Sequence, residues 1–340
     1  MHGTTSWSLR LRAIITVMAT LLVVSGGVES GTLSAHPADA KTLKFGLITK
    51  MGTDPWFVSE GRGAAREARS LGVTLIRQDV ALDSNQALNA FGTVLGEGVD
   101  GILTVPPSGA IGPSLVTQAN AAHVPLMSID DFIYDSHHQQ VPWVGAPWAQ
   151  IGQIVGREDA RLYKSMGWDK SASVGVAAVV LPTLSVCNLR TDNAEAAFLK
   201  AVPGFNKSNV FPITYDGSLN GALNVMPAAI TAHASITKWL IWSCNDDGVI
   251  GAWRAMRNKG ISASNVIGVA AGGLLFCGEW GSGKPSGLRE MVFSNPADEG
   301  AKAVDLLYNH VVHHAALPLQ TALPPTILTP QTYQKVTNCQ

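Results

Sequence analysis

From residue 43 onward, short runs of aliphatic and β-branched residues alternate with longer stretches whose apolar positions recur every three or four residues. The short runs read as strands and the longer period as helices that bury one face. The spacing predicts strands at 43–49, 73–78, 101–105 and 124–129, with helices at 56–71, from an N-cap at Ser84 to about 95, and at 112–122. The rhythm then restarts: helix 149–164, strand 172–180, helix 190–201, strand 210–213, helix 221–232, strand 239–243, helix 248–258 and strand 266–270. Strands alternating with helices demand parallel pairing through right-handed crossovers. The fold class expected is therefore α/β, with two doubly wound parallel-sheet domains in tandem. A further strand at 288–293, a helix at 297–313 and an extended run at 321–328 fit neither domain alone, so the chain is expected to cross back through a multi-strand hinge. The expected division is 41–146 plus 293–320 for the N-terminal domain and 147–292 plus 321–340 for the C-terminal one.

Composition narrows the class. The chain of 340 residues carries 24 Lys and Arg against 25 Asp and Glu, a net charge of -1, which supplies no basic field for nucleic acid and no polybasic membrane patch. Arg10 and Arg12 precede the apolar run 13–24, and Ala38-Asp39-Ala40 presents small residues for cleavage, the order of a secretory signal peptide. That run is shorter than the ~20 residues needed to span a bilayer, so residues 1–40 are expected to be a signal peptide and the mature chain to be soluble and start near Lys41. Cys187, Cys244, Cys277 and Cys339 form no C-x-x-C pair; the compartment permits disulfides, and the spacing does not select a pairing.

In open parallel sheets, ligands bind beyond the C-terminal strand ends, so residues there are the candidates. After the first strand stand Lys50, Asp54, Trp56 and Phe57: an aromatic platform for the C–H face of a sugar ring, with an ammonium to donate to hydroxyls. After the strand at 124–129 come Asp130 and Asp131, and an ionised carboxylate accepts hydrogen bonds only, matching hydroxyl donors. After the strand at 239–243 comes Asn245, which both donates and accepts, while Asp246 or Asp247 is expected to cap the next helix. Arg190 offers a fork of N–H donors. No phosphate loop or nucleophile elbow is present, and Gly281-Ser282-Gly283-Lys284 reads as a turn. The pairs His137-His138 and His313-His314 are sequence neighbours that do not face one metal, so no metal, cofactor or catalytic residue is expected.

The segments LKFGLITKMGTDPWF (43–57), PLMSIDDF (125–132), VPWVGAPWAQIG (141–152) and KWLIWSCNDDGVIGAWRA (238–255) carry a resemblance. In order and spacing the chain resembles the periplasmic sugar-binding proteins of bacterial ABC transporters, in particular the L-arabinose-binding group. The resemblance implies a type I periplasmic binding fold in which Lys50, Asp54, Trp56, Phe57, Asp130 and Asp131 line one wall of a sugar cleft, and Arg190 and Asn245 line the other. It implies a monosaccharide ligand (a pentose or hexose such as L-arabinose or D-galactose) and an ABC transporter permease as partner. Departures accompany it. Asp54 stands where the group has Glu. Gly272 and Leu275 stand where it has Asn and Asp, and the position of its pocket Met falls on Gly145 or Ala146, which predicts a roomier pocket.

Other function classes fit less well. A sugar-responsive regulator would carry a helix-turn-helix where the signal peptide stands. A glycosidase needs carboxylates flanking a bond ~5–9 Å apart, whereas Asp130 and Asp131 are neighbours. A sensor that presents sugar to a chemoreceptor or histidine kinase would share the same cleft and is the alternative.

Overall fold

The computed structural model describes residues 42–171, 173–337 and 339. The first lobe runs β1 (Lys44–Thr49), α1 (Pro55–Ser70), β2 (Thr74–Asp79), α2 (Ser84–Gly96), β3 (Gly101–Thr104), α3 (Gly112–Ala122), β4 (Leu126–Ile129) and β5 (Trp143–Gly145). The second runs α4 (Trp148–Ser165), β6 (Val174–Val180), α5 (Ser185–Ala201), β7 (Val210–Thr214), α6 (Leu219–Ala232), β8 (Lys238–Ser243), α7 (Asp246–Asn258), β9 (Val266–Ala271), α8 (Phe276–Gly281) and β10 (Leu288–Phe293). The chain then returns through α9 (Pro296–His313) and β11 (Gln320–Ala322) to the first lobe and ends on β12 (Thr326–Leu328) in the second. The sheet orders are β11-β5-β4-β3-β1-β2 and β12-β10-β9-β8-β6-β7; only β12 runs antiparallel to its neighbour. Each order reverses once, between β1 and β3 and between β6 and β8.

Central strands are apolar on both faces because helices cover both. In β1, Phe45 and Leu47 face the core under α1 and α9, while Ile48 faces the one under α2 and α3. In β8, Leu240 and Trp242 pack toward α4 and α5, and Trp239 and Ile241 toward α6 and α7.

Several boundaries differ from the sequence reading, each for a local reason. Asp83, not Ser84, caps α2, its carboxylate accepting from the amides of Asn85 and Gln86. Helix α5 starts at Ser185, five residues before Arg190, with Cys187 buried in its first turn. The extended run 321–328 is two strands, because Pro324-Pro325 cannot donate to a ladder. Strand β11 straddles the expected boundary at 320/321 and pairs with β5, so the last crossing falls between Ala322 and Thr326. All three crossings contain proline: Pro147 before α4, Pro296 at the head of α9, and the Pro324-Pro325 pair.

The return of α9 onto the first lobe depends on glycine. A Cβ on Gly63 would lie 1.8 Å from the carbonyl oxygen of Ala297, and one on Gly300 would lie 2.1 Å from that of Glu60. Backbone cannot yield as a side chain can, so Gly63→Ala should lower stability by roughly 1–3 kcal/mol. Gly204→Ala, where nothing lies within 4 Å, should stay within about 0.5 kcal/mol of native. Urea unfolding of the two variants checks the contrast.

Candidate functional site

Strand ends of both lobes converge at the interface. On the first lobe, the amide of Asp131 donates to the carbonyl of Ile129 at 2.6 Å, closing a three-residue turn around Asp130, whose φ is +63°. A non-glycine residue held there carries strain of about 1–3 kcal/mol, a feature that clusters at functional sites. The turn places both carboxylates on Lys50: its ammonium pairs with Asp131 and lies 3.2 Å from Asp130 Oδ2, and it sits 4.8 Å over the Phe57 ring. Burial opposes the charge on Lys50, but Asp131 and Asp130 together hold its pKa above the ordinary lysine value. Burial likewise raises the Asp131 carboxyl, with Lys50 opposing. Behind this triad, Glu60 of α1 and Glu299 of α9 are buried, and burial, reinforced by Asp130, holds both carboxyls well above the ordinary value.

On the second lobe, Arg190 is buried against Trp148, its guanidinium carbon 3.5 Å from the ring centre, and Nη1 donates to the carbonyl of Cys244 at 2.6 Å. Burial lowers its pKa, and Asp130 across the cleft opposes that shift. Gly272, at φ +63°, leaves the room this packing needs: a Cβ there would stand 3.1 Å from Arg190 Nη1 and 3.4 Å from Trp148. The two walls meet where Trp56 faces Trp148, ring centres 5.6 Å apart.

The structure thus brings together Lys50, Phe57, Asp130 and Asp131 on one wall, Arg190 and Gly272 on the other, and Trp56 between them. Asp54 caps α1, accepting from the amide of Trp56 at 2.7 Å, and its charge is felt by Asp246 and Asp247 of the opposite lobe. Asn245 differs from expectation. It, rather than Asp246 or Asp247, caps α7, with Oδ1 accepting from Gly248 N and the Tyr215 hydroxyl and Nδ2 donating to the carbonyl of Gly217. Its amide is committed to holding α7, whose first-turn aspartates the helix dipole favours.

Of the two positions where a roomier pocket is expected, Gly145 and Ala146, Gly145 has no free space beside it. A Cβ there would fall 2.7 Å from the Trp143 ring, which packs at a tilt against Phe132, ring centres 4.5 Å apart. The space opposite Gly272 belongs to Arg190 and Trp148. The sequence reading missed Trp143 and Trp148; Trp148 stands three residues beyond β5, where the strand-end rule applied to that strand would have found it. The described cysteines pair as Cys187–Cys244 and Cys277–Cys339.

The buried polar atoms at this meeting of the lobes that have no hydrogen-bond partner among the described residues include Asp130 Oδ1 and Trp56 Nε1 from the first, and Arg190 Nε and Trp148 Nε1 from the second. Buried polar groups are nearly always paired. An acceptor and three donors, two of them indole N–H groups, suit a neutral ligand rich in hydroxyls, each of which can donate and accept.

The chain is similar to known proteins over most of its length. The periplasmic binding protein domain family matches residues 45–315. The L-arabinose-binding periplasmic protein of Escherichia coli K12 is 28% identical over 301 residues, covering 86% of this chain and 89% of that one. The ribose import binding protein of the same organism is 30% identical over 259 residues, or 74% of this chain and 79% of the other. A periplasmic solute-binding protein of an ABC transporter from Actinobacillus succinogenes, solved with bound D-allose, shares the fold: TM-score 0.72 at 19% identity, over 86% of this chain and 99% of that one.

The aspartates of α7 give this interface a pH dependence. Burial, then Asp247, pushes Asp246 up to about 8, and burial, then Asp54, pushes Asp247 up to about 6. Both lie above the ordinary 3.8, so the folded protein keeps protons that the unfolded chain has released. The pair's contribution to stability is therefore present at low pH and lost as pH rises through that window. Urea midpoints followed from about pH 4.5 to 8.5 should fall more steeply for the native chain than for Asp246→Asn; parallel curves would refute the assignment.

Proposed function

The chain belongs to the periplasmic binding protein family, and from that premise we propose that it is the solute-binding component of an ABC importer, closing on a monosaccharide between its lobes and presenting it to the permease. Members of this kind bind and release; the chain is a binding protein, not an enzyme. The ligand class is a pentose or hexose such as L-arabinose or D-galactose. The observation that carries this reading is the set of unpartnered buried polar atoms contributed by both lobes at Trp56, Asp130, Trp148 and Arg190.

In this reading Asp130 and Asp131 accept from ring hydroxyls while Lys50 pairs with both. Arg190 donates through Nε, the one of its nitrogens left over by the Cys244 carbonyl contact that the structure records as unpartnered. Trp56 and Trp148 close over the C–H faces of the ring, Phe57 supports Lys50, and Asp54, Asn245 and Gly272 set the positions of the others. Ligand and closure reinforce each other, because each lobe supplies only part of the hydrogen bonding. Residues 1–40, outside the described residues, act as the export signal, and the mature protein works as a periplasmic monomer, since one copy carries both walls. Among the described residues no helix is long and apolar enough to cross a membrane. No observation separately favours the sensor alternative.

Titrating the mature chain with L-arabinose, D-galactose, D-xylose, D-fucose and D-ribose, followed by tryptophan fluorescence and calorimetry, tests the reading. One sugar should saturate the protein. Asp131→Ala should weaken that binding by about ten- to a hundredfold, as expected for a hydrogen bond to a charged group. Silence across the panel would overturn the monosaccharide assignment.

A further inference from the structure

Cys187 lies in the first turn of α5, and Arg190 follows about one helical turn later on the same face. Cys244 follows the last residue of β8. The disulfide Cys187–Cys244 joins the two elements with a Cα separation of 4.6 Å, both cysteines being buried. The partner cysteine is also the anchor of the arginine: Nη1 donates to the Cys244 carbonyl at 2.6 Å and lies 3.5 Å from its sulfur. The covalent bridge and the hydrogen bond therefore close one ring. It runs from Cys187 along a turn of α5 to Arg190, through the guanidinium to the Cys244 carbonyl, and back through the two sulfurs.

We propose that the Cys187–Cys244 disulfide is a positioning element of the binding cleft, fixing Arg190 Nε toward the ligand by holding its carbonyl anchor in register with its own helix. The inference rests on the reading of the cleft as the sugar site. An arginine side chain with four rotatable bonds binds well only if it is ordered before the ligand arrives. Trp148 covers one face of the guanidinium, and Gly272 lies close beside both. Neither sets its rotation within that plane; the Cys244 carbonyl does. Helix α4 holds the α5 backbone from one side, where a Cβ on Gly152 would meet the Arg190 carbonyl at 2.3 Å. The end of β8 is tied to α5 by the disulfide, by this arginine and, two residues before Cys244, by Trp242, whose ring centre lies 5.6 Å from that of Phe198. Asn245, the next residue, caps α7, so displacement of Cys244 also reaches the head of that helix. The second disulfide, Cys277–Cys339, joins α8 to the end of the chain beside Tyr333 and shares no hydrogen bond with Arg190 among the described contacts, which makes it an internal control.

The experiment compares the native mature chain with Cys187→Ser/Cys244→Ser and Cys277→Ser/Cys339→Ser. Each is read by nitrogen-resolved NMR of the arginine Nε–H groups without sugar, and by calorimetric titration with L-arabinose and D-ribose. Both variants should melt at lower temperature. Only Cys187→Ser/Cys244→Ser should move the Arg190 Nε–H signal into the fast-exchanging envelope of mobile arginines, and only it should weaken sugar binding, by about tenfold or more. In that background Arg190→Lys should add little further loss, because the two changes remove one interaction. Should the serine pair fail to fold, Cys187→Ala/Cys244→Val replaces the buried sulfurs with apolar atoms and is read in the same way. An Arg190 signal unchanged by loss of the bridge, or additive losses from the bridge and from Arg190→Lys, would overturn the proposal. If the native chain binds neither sugar while the Arg190 signal shifts as expected, the positioning role stands and the sugar reading of the cleft fails.

Discussion

A lysine ammonium shut between two neighbouring carboxylates is the constraint on which the cleft rests. Removing Lys50, Asp130 and Asp131 from water is costly for each, and the cost is offset only while all three stay in contact. Their contact in turn demands the strained turn at Asp130, because two consecutive residues leaving a regular strand would point to opposite faces. That turn is possible at the end of β4, where the next strand, β5, begins only at Trp143 and leaves the loop free to fold back. With Lys50 satisfied by protein, the free oxygen of Asp130 is left for something else, and a hydroxyl fits where a second cation is not required. Beneath them, burial reinforced by Asp130 raises the carboxyls of Glu60 and Glu299 well above the ordinary value.

The opposite wall works by shape before charge. Arg190 lies with its guanidinium against the Trp148 ring, so its cost of burial is offset by the aromatic face, one backbone carbonyl and the charge of Asp130 across the cleft. The result is an asymmetric pair of walls, one anionic and internally neutralised, one cationic and stacked, whose fields meet at Asp130 and Arg190. Such a pair attracts its two halves across the cleft while Asp130 Oδ1 and Arg190 Nε stay unpaired among the described residues.

Much of the architecture was readable from the chain alone. Strands buried on both faces appear as unbroken apolar runs, and the residue types after them change abruptly, which is why Lys50 and the Asp130-Asp131 pair could be singled out. What was not readable depended on partners far away in sequence. Nothing near Gly145 announces that the ring of Trp143 and the backbone of Asp130 fill the space beside it. Nothing near Cys187 selects Cys244 over the other two cysteines, and nothing in CNDD distinguishes a capping Asn from a ligand-binding one until Tyr215 and Gly217 arrive beside it. The crossing at 324–325 was signalled by its two prolines but read as a single run, since the strands on either side are only three residues each.

Prolines at all three crossings bear on how the molecule opens. A proline ring locks φ, so rotation at those positions is left mainly to ψ and to the few residues around them. Three parallel straps with restricted torsions define an axis, much as a door hung on several hinges swings in one plane only. Fixed φ at each strap leaves fewer ways for one lobe to rotate against the other than a flexible tether would. Less orientational freedom is surrendered when a ligand is caught, and capture becomes a matter of shutting one well-defined gap.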